Sequence, residues 1–197
     1  MRLLLDLRNT KNPSQREQLA READEYGIWG VVVTGPQGAE CVEASAIATA
    51  TRHVVVAVDV DGQGVHPTTL AEEIAVLDQI AERRTMVIFR GPSSSQTTVT
   101  TLLRGLPFEG FILSPPPAQA SIEVHSVEEI PQADLPEAPA EIAAMIDQYR
   151  DSPTAFLIIS SNKSIKELAR HLIGRAASTD FPQMVADLAD QIDPLNK

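Results

Sequence analysis

The sequence predicts an α/β fold built on a parallel β-sheet. Strand-like and helix-like segments alternate along almost the whole chain, with about seven of each. Such alternation is typical of parallel sheets whose faces are covered by helices. The block from residue 51 to 89 shows the repeating unit most clearly, because a buried strand, a glycine-containing loop, a proline-started helix and a second buried strand follow one another. The sheet is expected either to close as a barrel or to stay open and doubly wound. A barrel would be trimmed, because a complete eight-stranded one usually needs about 250 residues and this chain has 197.

The first half of the chain carries four predicted strands, each an apolar run rich in β-branched residues. They lie at Leu3–Leu7, Ile28–Val33, Val54–Val58 and Thr85–Phe89. Three helices are predicted between them. Ser14 and Glu17 have the spacing of a capping box for the first, Glu40–Ala50 is rich in small residues, and Pro67 suits the first turn of the third.

The third helix has the clearest periodicity. Its apolar stripe consists of Leu70, Ile74, Leu77 and Ala81. Glu72, Glu73 and Asp78 are predicted to lie off that stripe.

The second half of the chain is less regular. A helix is predicted at Ser95–Leu103, and it is expected to be weak because its threonines favour strand over helix. A fifth strand is predicted at Gly110–Leu113. Prolines between residues 114 and 140 rule out a regular helix there, although Ile122–Val127 has the composition of a short strand. Further on, a helix is predicted at Glu141–Arg150 and a buried strand at Ala155–Ile159. Two more helices are predicted at Ile165–Ile173 and from Pro182 onward. No repeat or linker marks a boundary, so residues 1–197 are predicted to form one domain.

Composition narrows the classes of function. Lys and Arg total 16 against 27 Asp and Glu, a net charge of −11, so nucleic acid and anionic membranes are not expected as partners. Neither a signal peptide nor a membrane-spanning apolar run is expected from the sequence. Cys41 is the only cysteine, which fits a reducing compartment, and it is expected to be a small helix residue rather than a nucleophile. A cytoplasmic protein is therefore predicted.

Several short motifs follow one another between residues 16 and 91, and a weaker one lies near residue 160. In order they are Tyr26-Gly27 with Trp29 and Val31-Val32-Val33, Ala48 with Thr51-Arg52, the strand to Val60, His66-Pro67 with Leu70-Ala71, Leu77-Asp78, Arg84, and Ser160-Ser161-Asn162-Lys163. Together they resemble the bacterial luciferase-like flavin- and F420-dependent oxidoreductases. The resemblance implies a TIM-barrel-like fold, here trimmed to about seven parallel strands. It also implies a homodimer or a heterodimer with a luciferase-like partner, and FMN or F420 at the C-terminal edge of the strands. The cofactor would carry out hydride transfer or monooxygenation.

The chain also departs from that family. Thr34-Gly35-Pro36-Gln37 stands where the family often carries an Asp-His pair, and Val87-Ile88-Phe89-Arg90 replaces a glycine-rich strand exit. Phe89 and Arg90 are expected to fill space that two glycines leave open. These departures lead to the expectation that cofactor binding could be weakened or lost. In a second hypothesis, the chain is a non-catalytic subunit that uses the fold for dimerisation or for pairing with an active homologue.

Five residues are candidates for cofactor contacts: Thr34 and Asp59 near the ring, and Ser160, Ser161 and Asn162 near the phosphate. Strand ends hold the reactive groups of barrel enzymes, and free N–H groups at a helix N-terminus bind anions. The alternatives are a solvated turn at Asp59 and simple helix capping near Ser160, where Ser164 and Glu167 have capping-box spacing. No catalytic residue is assigned, and the substrate stays open.

The four histidines do not suggest a metal site. His53, His66, His125 and His171 show no metal-ligand spacing with one another or with Cys41. A third hypothesis is a small phosphate-binding barrel or a flavodoxin-like protein. It would be favoured if the first four strands did not adjoin in order.

Overall fold

The computed structural model describes residues 2–136, 139–149, 156–160 and 165. This part of the chain forms seven strands and five helices. In chain order they are β1 Arg2–Asp6, α1 Pro13–Glu25, β2 Gly30–Val33, α2 Glu40–Ala50, β3 Val55–Asp61, α3 Pro67–Ile80, β4 Thr85–Arg90, α4 Ser93–Leu103, β5 Glu123–Ser126, β6 Gln132–Asp134, α5 Pro139–Tyr149 and β7 Phe156–Ser160. The predicted helix beginning at Pro182, and all but the first residue of the one at 165–173, lie outside the described residues.

All seven strands belong to one parallel sheet, in the order β5-β4-β3-β2-β1-β7-β6. The first four strands adjoin in chain order, as a barrel requires. A flavodoxin-like sheet would begin in the order 2-1-3, so the structure argues against that alternative.

The sheet is curled, which brings its two edge strands close together. Val127 N–H donates to Phe89 O of β4 at 3.1 Å, and Ile158 N–H of β7 donates to Pro131 O at 2.9 Å. Residues 127 and 131 are four positions apart, so their Cα atoms are separated by about 14 Å at most. The structure is therefore the predicted trimmed barrel and not an open, doubly wound sheet.

Curling divides the hydrophobic residues into an inner and an outer core. The outer core lies between the sheet and the helices and includes Val56 and Val58. Ala57 points the other way, because side chains alternate along a strand. The inner core consists of Leu4, Val32, Ala57, Met86, Ile88, Ile130, Phe156 and Ile158. Since Ile130 lies in the short connection between β5 and β6, this connection closes the inner core.

Asp24, one residue before the end of α1, fixes the start of β3. Its carboxylate accepts hydrogen bonds from the backbone N–H groups of Arg52, His53 and Val54 at 2.7–2.8 Å. Partial burial tends to raise the pKa of Asp24, but these three donors outweigh it and lower the pKa below its ordinary value. The helix end and the strand are therefore joined through an ionised carboxylate.

The predicted capping box of the first helix is wrong. Asn12 is the N-cap, and its Oδ1 accepts from Ser14 N–H at 3.0 Å and Gln15 N–H at 3.3 Å. Asn is as good an N-cap as Ser, and Pro13 then takes the first helical position, where proline is favoured. Ser14 therefore lies inside the first turn.

The predicted fifth strand at Gly110–Leu113 is also wrong. Phe108 and Phe111 exchange N–H···O bonds of 3.0 and 2.8 Å across a tight turn. Glu109 and Gly110 both have positive φ, at 47° and 80°, so the chain reverses there. The count of seven strands is kept because β6, which the sequence analysis missed, takes its place.

Candidate functional site

Polar side chains collect at the carboxyl ends of the strands, directly above the inner core. Asp6, Asp59, Arg90 and Ser160 follow the inner-core residues of β1, β3, β4 and β7 by two positions, and so share their face of the sheet. We call this site the mouth; it consists of Asp6, Arg8, Thr34, Asp59, Arg90, Gln132 and Ser160. It lies at the edge where TIM barrels carry their active sites.

Arg8 is the centre of the mouth. Its Nε and Nη2 donate to the two carboxylate oxygens of Asp6 at 2.9 and 2.8 Å. Its Nη1 donates to Asp59 Oδ2 at 2.8 Å, and Nη2 also reaches Gln132 Oε1 at 2.7 Å. The hydrogen bond to Asp6 raises the pKa of Arg8 above its ordinary value; burial opposes this, and Asp59 adds to it. Arg8 is therefore a permanent cation at this site.

Asp59 is buried and bridges two arginines. It is 2% exposed, and while Oδ2 accepts from Arg8, Oδ1 accepts from Arg90 Nε at 2.6 Å. Its backbone oxygen accepts from the Thr34 hydroxyl at 2.9 Å. The solvated-turn alternative is wrong for this residue, because β3 stays paired with β4 as far as Asp61.

Arg90 presents donors that no described residue uses. Its side chain is 43% exposed, and among the described residues only its Nε makes a hydrogen bond. Its two terminal nitrogens, Nη1 and Nη2, make no hydrogen bond to a described residue. We call these two nitrogens the Arg90 fork.

Phe89 does not face the mouth. It belongs to the outer core, and a Cβ added to Gly62 would lie 2.3 Å from its Cζ. The two residues expected to fill the space at the strand exit therefore lie on opposite faces of the sheet. Phe89 occupies the space beside Gly62 on the outer face, and Arg90 alone enters the mouth.

Three of the five predicted contact residues come together at the mouth. Thr34 and Asp59 are joined by a hydrogen bond, and Ser160 Oγ lies 3.5 Å from Asp6 Oδ2. Ser161 and Asn162 lie outside the described residues. Asp6, Arg8, Arg90 and Gln132 were missed as site residues. One signal was available, because Asp6 is the one charged residue in the first predicted strand, next to its end, and Asp59 follows the third predicted strand directly.

Cys41 is buried in α2, as expected of a small helix residue. Burial raises its pKa to about 12, with smaller contributions from Glu73 and Glu40, so the thiol is unreactive near neutral pH. Within the described ranges, no three side chains of His, Cys, Asp or Glu are placed to hold a metal ion. No described helix combines the length and apolar character needed to span a membrane.

A cleft of about 520 Å³ lies near the amino ends of β3 and β4, on the side of the sheet away from the mouth. Its lining residues are Ala48, Thr49, Thr51, Arg52, Ile80, Glu82 and Arg84. Arg84 donates to the backbone oxygens of Ala48, Thr51 and Val54, so its guanidinium ties the end of α2 to β3. Since this edge of a barrel usually serves stability, we assign the cleft to the scaffold.

Comparison with known proteins identifies the fold. No protein-family model and no curated protein match the sequence. The solved structure of monooxygenase RslO1 from Streptomyces bottropensis superposes with a TM-score of 0.57 and 19% identity, over 98% of this chain and 82% of that one. The chain has a trimmed, luciferase-like TIM-barrel fold.

Two further structures share this luciferase-like fold. EDTA monooxygenase (EmoA) from Chelativorans sp. BNC1 has a TM-score of 0.55 and 13% identity, over 97% of this chain and 70% of that one. The oxygenating constituent of 3,6-diketocamphane monooxygenase from Pseudomonas putida, in complex with FMN, has a TM-score of 0.51 and 15% identity, over 90% and 62%. The predicted fold class is confirmed, and at these identities the similarity concerns the fold alone.

Proposed function

We propose that the protein is a luciferase-like oxidoreductase homologue that binds FMN or F420 at the mouth. The observation that carries this proposal is the Arg90 fork, whose two nitrogens have no partner among the described residues. Paired guanidinium nitrogens match the oxygens of a phosphate, and both cofactors contain phosphate.

The residues of the mouth suit such a ligand. The Arg90 fork would hold the phosphate, and the Thr34 and Ser160 hydroxyls offer further polar contacts. Asp6 and Asp59 are both engaged by arginines, so their role is to orient cations rather than to transfer protons. When bound, FMN or F420 supplies the hydride-transfer chemistry, and the protein supplies binding and orientation.

Cofactor binding is tested directly with purified protein. We expect absorbance between about 370 and 460 nm from a bound flavin or deazaflavin, and a rise in Tm with saturating FMN or F420. Arg90→Gln should weaken FMN binding about tenfold, because a charge-assisted hydrogen bond is lost, and should leave the affinity for riboflavin, which lacks the phosphate, unchanged. Arg104→Gln, at the exposed end of α4, is the matched control. Protein that stays colourless and shows no rise in Tm with either cofactor would contradict the proposal.

A second candidate function is supported by an exposed apolar face. Helix α2 is apolar or small on nearly every side, which is unusual for a helix at the surface, and its Val42 is 69% exposed. Val76 and Ile80 are exposed on α3, which packs against α2. Exposed apolar side chains that cluster on adjacent helices are typical of protein interfaces. We propose that this α2–α3 face joins two copies of the chain, which is the role of the non-catalytic alternative and is also compatible with cofactor binding.

The oligomeric state tests this face. We expect the wild-type protein to be a dimer at micromolar concentration by light scattering after gel filtration, and Val42→Glu to be monomeric because a buried, unpaired carboxylate opposes association. Ile112→Glu is the matched control, since Ile112 is equally exposed, at 66%, but lies outside α2 and α3. A wild-type monomer, or a dimer that survives Val42→Glu, would refute the assignment.

A further inference from the structure

We propose that Arg16 is a positioning residue, which fixes Thr34 at the mouth so that the Thr34 hydroxyl accepts a hydrogen bond from the cofactor ring. The contact with the ring rests on the proposed function, whereas the hold on Thr34 is independent of it. Arg16 lies in α1, outside the mouth, and acts only through Thr34.

Arg16 is a buried cation that joins two loops beside the mouth. The residue is only 9% exposed. Its Nε and Nη2 both donate to the backbone oxygen of Thr10, at 3.1 and 3.0 Å. Its Nη1 donates to Thr34 O at 3.3 Å and to Glu43 Oε2 at 2.9 Å. Since Thr10 lies between β1 and α1 and Thr34 between β2 and α2, one guanidinium ties together the loops that leave the first two strands.

Arg16 supplies a donor that β1 no longer provides. In a parallel pair of strands the hydrogen bonds are evenly spaced and recur at every second residue. Leu7 N–H donates to Val32 O at 2.9 Å, so the next acceptor in this series is Thr34 O. The chain turns back after Leu7, where Thr10 N–H donates to Leu7 O at 3.1 Å, and no backbone N–H of a described residue reaches Thr34 O. Nη1 of Arg16 therefore pairs a backbone oxygen that would otherwise lack a described partner.

The side chain of Thr34 is held on the other side of β2. Its hydroxyl donates to Asp59 O at 2.9 Å. A carbonyl oxygen has no proton to donate, so the Thr34 proton is committed to this bond and only the lone pairs of Oγ1 remain for a ligand. Thr34 follows the inner-core residue Val32 by two positions, and its side chain therefore shares the face of the mouth. The mouth thus offers an acceptor at Thr34 and two donors at the Arg90 fork.

A ligand that matches this arrangement carries a hydrogen-bond donor and an anionic group. FMN and F420 each combine a ring that bears an imide N–H with a phosphate. The ring N–H would donate to Thr34 Oγ1, and the phosphate would bind the Arg90 fork. Arg16 contributes to the first of these contacts alone, because it is bonded to Thr34 and not to Arg90.

The ligand arm separates ring from phosphate by comparing FMN with riboflavin. Arg16→Gln should raise the Kd for both about tenfold, because both contain the ring, whereas Arg90→Gln should affect FMN alone. In a Thr34→Val background, Arg16→Gln should cause no further loss, since valine has no acceptor to position. Arg21→Gln, 61% exposed on the same helix, is the control. An Arg16 variant with wild-type affinity, or a loss that persists in full in Thr34→Val, would overturn the inference.

The ligand-free arm decides the hold on Thr34 even if the wild type binds neither FMN nor F420, in which case the contact with the ring fails together with the proposed function. Three-bond NMR couplings to the methyl carbon of Thr34 report its χ1 angle. They should show one rotamer in the wild type and an average over rotamers in Arg16→Gln, because the backbone at Thr34 has lost its anchor and the hydroxyl no longer stays beside Asp59 O.

Glu43→Gln distinguishes positioning from a general loss of stability. It removes the charge that pairs with Arg16 but keeps the donor to Thr34, so the Thr34 couplings should stay as in the wild type. The double variant R16Q/E43Q removes one charge of each sign and replaces Arg16→Gln if the latter fails to fold. Unchanged couplings in the Arg16 variant, or equal averaging in Glu43→Gln, would overturn the inference.

Discussion

Asp59→Ala is expected to lower the free energy of unfolding by about 3 kcal/mol, because it leaves two guanidinium groups without their shared carboxylate. Asp59 is buried and Arg8 is mostly buried, at 3% and 16% side-chain exposure, so water cannot fully replace the lost partner. The value is at the low end for a buried pair because Arg8 keeps Asp6 and Gln132, and Arg90 can turn toward solvent. Denaturation by urea, monitored by circular dichroism, gives the number.

Asp61→Ala is the matched control for this measurement. Asp61 also lies in β3, is partly exposed, and accepts only from the backbone N–H of Gln63 among the described residues. Its loss should cost less than about 1 kcal/mol. Arg90→Ala should also cost only about 1 kcal/mol, since a half-exposed ion pair is screened by water. Equal losses for Asp59→Ala and Asp61→Ala would show that Asp59 does not hold the mouth together.

The scaffold was predictable because its signals are local. Runs such as Val54–Val58 have the β-branched composition of a buried strand. Pro67 and the apolar stripe that follows it correctly predict the first residue of α3. The segment Gln132–Asp134 carries no such signal. It becomes a strand because the curled sheet places it beside β7, and a strand set by long-range pairing cannot be recognised from its own three residues.

The mouth was predictable only in part, and for the same reason. Asp59 and Thr34 were found because they follow apolar strands, where parallel sheets place their ligands. Asp6 and Arg8 follow a strand too, but in sequence they only ended an apolar run near the N-terminus. Their role depends on a contact across 51 positions, from Arg8 to Asp59. Charge pairing between distant strand ends is a property of the curled sheet and is absent from any local pattern.

Substitution of Asp78 is expected to have the second large effect on stability, because this side chain is buried. The side chain is completely buried, although the pattern of α3 sets it apart from the apolar stripe. Its two oxygens accept from the backbone N–H of Gln119 at 2.8 Å and from Gln119 Nε2 at 2.7 Å. Gln119 Nε2 also donates to Thr85 O of β4. Asp78 therefore holds the loop after α4 against both the helix and the sheet.

Asp78→Ala is expected to lower the free energy of unfolding by about 3 kcal/mol, since it leaves two partly buried donors of Gln119 without an acceptor and opens a cavity at a fully buried position. Asp78→Asn should cost less, because its amide oxygen can still accept one of the two hydrogen bonds while its NH₂ group opposes the other donor. Glu72→Ala, on the partly exposed side of the same helix, is the control and should change stability by no more than about 0.5 kcal/mol. Amide exchange between residues 114 and 122 should accelerate in Asp78→Ala and not in the control, because the lost acceptors tether that loop. If Asp78→Ala costs no more than Glu72→Ala, the loop is held by its own packing, and the buried carboxylate has no structural role.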